Sequence, residues 1–193
     1  MKGIEEEPAP RDTAIRRAMA LFWSRGAEVA SYNEIVEATG LSRKALYALW
    51  PEKDALVHDA MALYRQVVLA PLVATLRVGG RKGVEAFWNA LERGVRTPGW
   101  SGCFLFRSAS GALREDSVIA GHFRAHVELL RKEVAKAVMQ GIEDGEIATI
   151  DAETAAWQTV SVAALISTYG AISGNGKPVQ KLIAAGRTAC GLG

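Results

Sequence analysis

The sequence SYNEIVEATGLSRKALYALWPEKDAL, residues 31–56, predicts two short helices separated by a glycine turn. Ser31 and Glu34 have the spacing of a capping box, in which a serine hydroxyl and a glutamate satisfy the first free amides of a helix. The first helix is expected over about 32–39. Gly40 should end it, because glycine readily adopts the left-handed conformation found at helix C-termini.

The second short helix begins directly after this turn. Ser42 is a suitable N-cap, and the helix is expected to extend to about Trp50. The side chains predicted to face the protein are Leu41, Ala45, Leu46 and Leu49. The side chains left exposed on the opposite face are Arg43, Lys44 and Tyr47.

A longer helix is predicted before this pair, from about Asp12 to Arg25, with Gly26 at its end. Its apolar face consists of Ile15, Ala18, Met19 and Phe22. Three helices with a Gly-centred turn between the last two form a helix-turn-helix, whose second helix enters the DNA major groove. We therefore expect an acidic, disordered arm at 1–11 and a DNA-binding domain at 12–56.

The remainder, 57–193, is also predicted to be helical, which makes the whole protein all-α. A helix should run from Pro51 to about Arg77. Further helices are expected at about 82–96, 103–113, 117–143, 151–173 and 178–190, forming a C-terminal bundle. The two cysteines, Cys103 and Cys190, have no metal-ligand spacing and indicate a reducing compartment, the cytoplasm.

The exposed face of the second short helix has the chemistry of DNA recognition. Arg43 and Lys44 can contact base edges and phosphates, and a tyrosine hydroxyl can contact a phosphate. Lys53 lies in the first turn of its helix, where a cation is unfavourable unless a phosphate is opposite. However, residues 1–60 contain eight basic and ten acidic side chains, so binding has to depend on a local cationic face.

The segment 31–56 resembles the DNA-binding segment of the TetR family, and so does the upstream AMALF at 18–22 followed by Gly26. The resemblance covers about residues 13–60. It departs from the family pattern at three positions. Val36 stands where alanine is usual, Ala45 where serine or threonine is common, and Trp50 where phenylalanine or tyrosine is usual. Ala45 removes a hydroxyl that could contact DNA.

The resemblance implies a homodimer that binds a palindromic operator, usually represses transcription, and is released by a small effector bound in the C-terminal domain. The residues it assigns to DNA are Ser31, Tyr32, Ser42, Arg43, Lys44, Tyr47 and Lys53. The alternative is a helical small-molecule-binding or adaptor protein that has the same fold but does not bind an operator.

Several C-terminal side chains are candidates for the effector pocket or for the core. They are Trp88, Trp100, Cys103, Phe106, Arg107, His122, Phe123 and His126. Cys103 resembles a cysteine that senses oxidants or electrophiles in some members of the family, but the favoured interpretation is a small buried apolar residue. His122 and His126 are one turn apart, but no third metal ligand is evident, so polar roles in a pocket are favoured over a metal site.

The segment 154–176 contains no charged residue and is long enough to cross a membrane. Its alanine, serine and threonine content instead favours a helix buried at a subunit interface, so we expect dimerisation through about 151–190 and no membrane partner. No catalytic signature and no cofactor motif is present, which predicts that the protein is not an enzyme.

Overall fold

The computed structural model describes residues 10–174 and 176–192. Every regular element in these two ranges is helical, which confirms the all-α prediction. The chain forms two compact units, and the boundary between them falls between Tyr64 and Arg65. We call them the N-terminal unit and the C-terminal unit.

The first four helices belong to the N-terminal unit. They are α1 (Pro10–Arg25), α2 (Tyr32–Thr39), α3 (Arg43–Leu49) and α4 (Lys53–Tyr64). In the C-terminal unit a π-helical turn (Arg65–Leu69), α5 (Ala70–Ala74) and a 3-10 turn (Thr75–Val78) continue from α4. They are followed by α6 (Gly80–Val95), α7 (Phe104–Ser110), α8 (Ser117–Glu143), α9 (Ala152–Ser173) and α10 (Lys177–Ala189).

Three boundaries differ from the sequence-based expectation. Helix α1 begins at Pro10, within the predicted arm, and residues 1–9 of that arm lie outside the described residues. Helix α4 begins at Lys53, because Pro51 and Glu52 form a bend. The single helix expected up to Arg77 is interrupted by the π turn at Arg65–Leu69.

The core of the N-terminal unit is formed mainly by α1, α2 and α4. Ala18 and Phe22 of α1, Ile35 of α2, Leu46 of α3 and Met61 of α4 are buried. A leucine or phenylalanine buried in this way contributes about 1.5–3 kcal/mol relative to its exposed state. These contacts fix α3 with one face inward and the other in solvent.

The prediction that Leu49 faces inward is wrong. Leu49 is 38% exposed, and the neighbouring Trp50 is only 3% exposed. Trp50 is the C-cap of α3 and has an extended backbone, which turns its side chain toward α4. Its indole Nε1 donates a hydrogen bond to Asp59 Oδ2 at 2.7 Å, and Arg11 covers the ring at 5.3 Å.

This hydrogen bond predicts that Trp50→Phe destabilises the protein, although phenylalanine or tyrosine is usual here in related sequences. Losing a bond to a charged acceptor should lower the free energy of unfolding by about 1–2 kcal/mol. Arg11→Ala is the matched control, because the exposed Arg11–Asp59 ion pair at 2.6 Å should contribute about 1 kcal/mol or less. Urea denaturation measures the unfolding free energy of both variants. Equal stability of wild type and Trp50→Phe would contradict a stabilising role for the Trp50–Asp59 hydrogen bond.

The C-terminal unit has its own core between α6, α8, α9 and α10. Trp88 of α6 is fully buried, and its ring lies where a Cβ at Gly186 of α10 would have to be. Trp100 occupies the equivalent space at Gly170 of α9. Glycine at these two positions therefore lets large indoles pack against helix backbone.

By length and composition, one helical run within the described ranges, Lys53–Val78, could cross a membrane. Its mean hydropathy is 1.3, but core helices of soluble proteins pass the same test. Leu56, Val57 and Met61 from this run are buried in the N-terminal unit. The uncharged segment of α9 does not meet the test, and it buries Ala155, Thr159 and Ile166 in protein.

Candidate functional site

The capping box holds the start of α2 as predicted. The Ser31 hydroxyl accepts from the Glu34 amide at 3.3 Å, and Glu34 Oε2 accepts from the Ser31 amide at 2.8 Å. The bond from the Ser31 amide, and then a bond from the Ser31 hydroxyl to Glu34 Oε2 at 2.9 Å, lower the pKa of Glu34. Glu34 also pairs with Arg25 at 3.0 Å, which links α2 to the end of α1.

The turn between α2 and α3 also forms as predicted. Gly40 is the C-cap of α2, with a φ of 74°, and its amide donates to the Val36 carbonyl. Ser42 is the N-cap of α3, because its hydroxyl accepts from the Ala45 amide at 3.2 Å. Both helices are therefore fixed by local bonds, and they are joined by the three residues 40–42.

Tyr32, Tyr47 and Lys53 come together although they belong to three helices. The rings of Tyr32 and Tyr47 lie 5.3 Å apart, and the two phenols are hydrogen-bonded. The Tyr32 hydroxyl also interacts with the backbone of Lys53. Partial burial, followed by the neighbouring Tyr47, raises the pKa of Tyr32, so the Tyr32 phenol stays protonated at physiological pH.

The ammonium of Lys53 donates to the carbonyl oxygens of Ala30 and Glu28, at 2.7 and 3.5 Å. It thus binds the end of the loop before α2, a role that the sequence did not indicate. An ammonium has three donors, so one remains for an anion beside Ser31 and Tyr32.

Arg43 and Lys44 lie on the exposed side of α3. Arg43 Nη2 donates to Asn33 Oδ1 at 2.6 Å, so its guanidinium lies over the first turn of α2. Within the ranges that the structure describes, Lys44 forms no hydrogen bond or ion pair. Leu46 faces the core on the other side of the same helix, while Tyr47 is 42% exposed.

The candidate pocket residues fall into separate groups. Trp88 lies in the core, and Trp100 packs against α9. Arg107 Nη1 donates to the Ser101 carbonyl at 2.7 Å, which closes the turn before α7. Cys103 is the buried N-cap residue of that helix.

The other four candidates lie together. Phe106 has its ring 5.2 Å from Phe123 and 6.2 Å from the imidazole of His126. His122 lies one turn before His126 on α8, and its Nδ1 accepts from Arg65 Nη1 at 2.7 Å. We call these four residues and Arg65 the Arg65 cluster. Among the described residues no group of three metal-ligating side chains occurs, here or elsewhere.

Sequence analysis missed Arg65 as a member of this cluster. A signal was present, because Arg65 is the one charged residue between Ala60 and Leu76. An isolated cation in an apolar helix generally has a specific partner. Its partner lies 57 residues away on α8, which periodicity cannot reveal.

Burial, and then the charge of Arg65, lowers the pKa of His126 to about 4. The unfolded chain, with an ordinary histidine pKa near 6.5, binds more protons below that pH, so stability should fall as pH drops from about 6.5 toward 4. We expect a loss of about 2 kcal/mol between about pH 7 and pH 5. Urea denaturation at each pH measures it. His126→Gln should remove this part of the dependence of the unfolding free energy on pH. An unchanged pH dependence in that variant would contradict the role assigned to His126.

Comparison with known proteins agrees with the geometry. Residues 14–60 match the family model for bacterial regulatory proteins of the tetR family. The HTH-type transcriptional repressor ComR of Escherichia coli (strain K12) is 28% identical over 144 residues, which are 71% of this chain and 67% of ComR. The match identifies residues 14–60 as a DNA-binding segment of the tetR type. The known proteins that this chain resembles are DNA-binding transcriptional regulators rather than enzymes.

Solved structures extend the similarity to nearly the whole chain. A cysteine mutant of the TetR-family regulator CifR, complexed with 26-base-pair double-strand operator DNA, is 25% identical with a TM-score of 0.76. The match covers 93% of this chain and 94% of CifR. Reduced NemR of E. coli has a similar fold, with a TM-score of 0.77 at 13% identity over 93% of this chain and 97% of NemR.

Proposed function

We propose that this protein is a homodimeric repressor that binds a palindromic operator and is released by a small effector. Residues 12–56 would bind DNA, and residues 57–193 would bind the effector and dimerise. The observation that supports this most is the two-sided character of α3. Leu46 packs into the core while Arg43, Lys44 and Tyr47 face solvent from one short helix.

The exposed residues divide into two chemical groups. Ser31, Tyr32, Tyr47 and Lys53 surround the N-terminal end of α2 and offer hydroxyl and ammonium donors suited to phosphate oxygens. Ser42, Arg43 and Lys44 occupy the N-terminal end of α3, the end that contacts base edges in helix-turn-helix proteins. The CifR complex with operator DNA supports a duplex as the partner.

Selection of operator sequences tests this proposal. From a random-sequence duplex library at low salt, the wild-type protein should enrich one palindrome. Lys44→Ala should weaken its retention, and Lys136→Ala, an exposed lysine on α8, should not. Retention should weaken steeply with salt, because each neutralised phosphate contributes about −0.9 to the slope of log affinity against log salt. Absence of any enriched sequence would favour a non-DNA-binding protein of the same fold.

Dimerisation is supported by an apolar stripe on α9. Exposed large side chains repeat along one side of this helix at Trp157, Leu165, Tyr169 and Ile172. The spacing is close to a helical repeat, and such a patch marks an interaction surface. Together with α10 it would form a four-helix interface over about 151–190.

Light scattering at micromolar concentration should give the mass of a dimer. Leu165→Glu on the stripe should shift the protein toward monomer. Val29→Glu changes an even more exposed apolar residue, in the N-terminal unit, and should leave the protein dimeric. A monomeric wild-type protein would refute the interface.

We place the effector in the C-terminal unit, near Phe106, His122, Phe123 and His126. Mutual proximity supports these four, and His122 and Phe123 are partly exposed, whereas Trp88 would need the core to open. Arg107, Trp100 and Cys103 belong to the adjacent turn and could contact an effector from that side.

A protein that binds an operator acts in the cytoplasm, which is the location proposed here. The proposed action of this protein requires no cofactor.

A further inference from the structure

Arg65 is a half-buried cation without a counter-charge. Within the part of the chain that the structure describes, no carboxylate pairs with its guanidinium, which instead donates to His122 Nδ1 at 2.7 Å. Removing a cation from water is costly unless an anion compensates it. Arg65 also begins the π-helical turn Arg65–Leu69, and π turns occur frequently at functional sites.

His126 is a second polar group that lacks a partner. Its side chain is 6% exposed, and among the described residues it forms no hydrogen bond or ion pair. It is neutral at physiological pH, because burial lowers its pKa to about 4. One ring nitrogen then carries a proton, so the imidazole has a hydrogen-bond donor to offer to a ligand.

Two aromatic rings flank these polar groups. Phe106 packs edge-on against both Phe123 and His126. The Arg65 cluster therefore combines a guanidinium, a neutral imidazole donor and flat apolar walls.

We propose that the Arg65 cluster binds the carboxylate of a small aromatic acid, and that such an acid is the class of effector. The carboxylate pairs with Arg65 and accepts from His126, while the ring of the acid packs against Phe106 and Phe123. His122 is a positioning residue, because its Nδ1 accepts from Arg65 and orients the guanidinium. This inference rests on the proposed effector-controlled function.

A metal ion is disfavoured at the same place. The lone pair of His122 Nδ1 already accepts from Arg65, so it is not available for coordination. A cation beside a guanidinium would also be repelled. The cluster thus selects an anion by charge and a flat ring by shape.

Three probes of the same shape test the charge requirement: 2-naphthoate, 2-naphthamide and 2-naphthylmethylammonium. Calorimetric titration of the full-length protein should show 2-naphthoate binding at least about tenfold more tightly than the other two. Equal binding of the three probes, tighter binding of the amide or the ammonium, or no binding of any probe would overturn the proposal.

Variants at one position locate the effect. Arg65→Gln should abolish the preference for the carboxylate, and Arg65→Lys should keep the preference with weaker binding, because it retains a charge without the planar fork. Arg77→Gln is the control, since Arg77 lies on the same helical run but is exposed beside Glu133. Thermal denaturation verifies that each variant is folded. If Arg65→Gln does not fold, the probe binding of Arg65→Lys tests the assignment. A preference that survives Arg65→Gln, or binding unchanged in Arg65→Lys, would refute the assignment.

Operator retention without any probe separates this inference from the proposed function. If neither wild type nor Arg65→Gln binds DNA while 2-naphthoate is still selected, the repressor proposal fails and the anion site stands. If both bind DNA but the three probes bind equally, the anion site fails and the repressor proposal stands.

Discussion

Tyr47→Ala is expected to lower operator affinity by about 100-fold in a dimer, since the loss occurs in both half-sites at about 1–1.5 kcal/mol each. Tyr47 is exposed on α3, and its phenol is hydrogen-bonded to Tyr32. The substitution removes a phosphate donor and the ring that supports a second donor. Electrophoretic retention of the selected operator measures the change.

Tyr47→Phe is the matched control for this effect. It keeps the ring contact with Tyr32, at 5.3 Å, and removes only the hydroxyl. Its affinity should therefore lie between those of wild type and Tyr47→Ala. Because Tyr47 lies outside the core, helix content and unfolding midpoint should stay close to those of wild type. Unchanged operator affinity in Tyr47→Ala would remove the phosphate role assigned to α3.

Gly102→Ala should destabilise the C-terminal unit by about 3 kcal/mol or more, because two penalties of about 1–3 kcal/mol each coincide. Gly102 has a φ of +81°, which strains any residue with a Cβ. The added Cβ would also lie 2.1 Å from the Ser167 carbonyl oxygen on α9. The turn before α7 therefore cannot stay where it is without moving helix backbone.

Gly99→Ala separates strain from collision. Gly99 has a φ of +77° in the same turn, but nothing lies within 4 Å of an added Cβ. Gly99→Ala should lower the free energy of unfolding by about 1 kcal/mol, from backbone strain alone. Urea unfolding of both variants gives the difference, and equal losses would show that the close approach to Ser167 is relieved at no cost.

Features set by neighbours in sequence were predictable. The capping box at Ser31 and Glu34, the Gly40 turn and the Ser42 cap each depend on residues within four positions, and all are present. The resemblance to the TetR family was visible in the same segment, because the spacing of its residues reflects these local bonds.

Features set by distant residues were not predictable. Leu49 was expected inside because helical periodicity places it beside Leu46, but the bond from Trp50 to Asp59 determines which side chain is buried. Trp88 is in the core because Gly186, 98 positions later, leaves room for its ring. Neither partner can be identified without the fold.

The DNA-contacting role of individual residues remains a prediction, as does the division at 12–56 and 57–193. The structure shows which side chains are near one another, and the comparisons show a similarity to TetR-family regulators. Tyr32, Tyr47 and Lys53 are placed around one helix end, which is a geometric basis for testing them together.

The central claim is that the exposed face of α3 lies in the DNA major groove. Dimethyl sulfate protection tests it directly, because this reagent methylates guanine N7 in the major groove and adenine N3 in the minor groove. On the selected operator, the wild-type protein should protect guanine N7 in both half-sites, and Arg43→Ala or Lys44→Ala should lose part of that protection. Protection confined to adenine N3, or N7 protection that neither variant changes, would contradict the account.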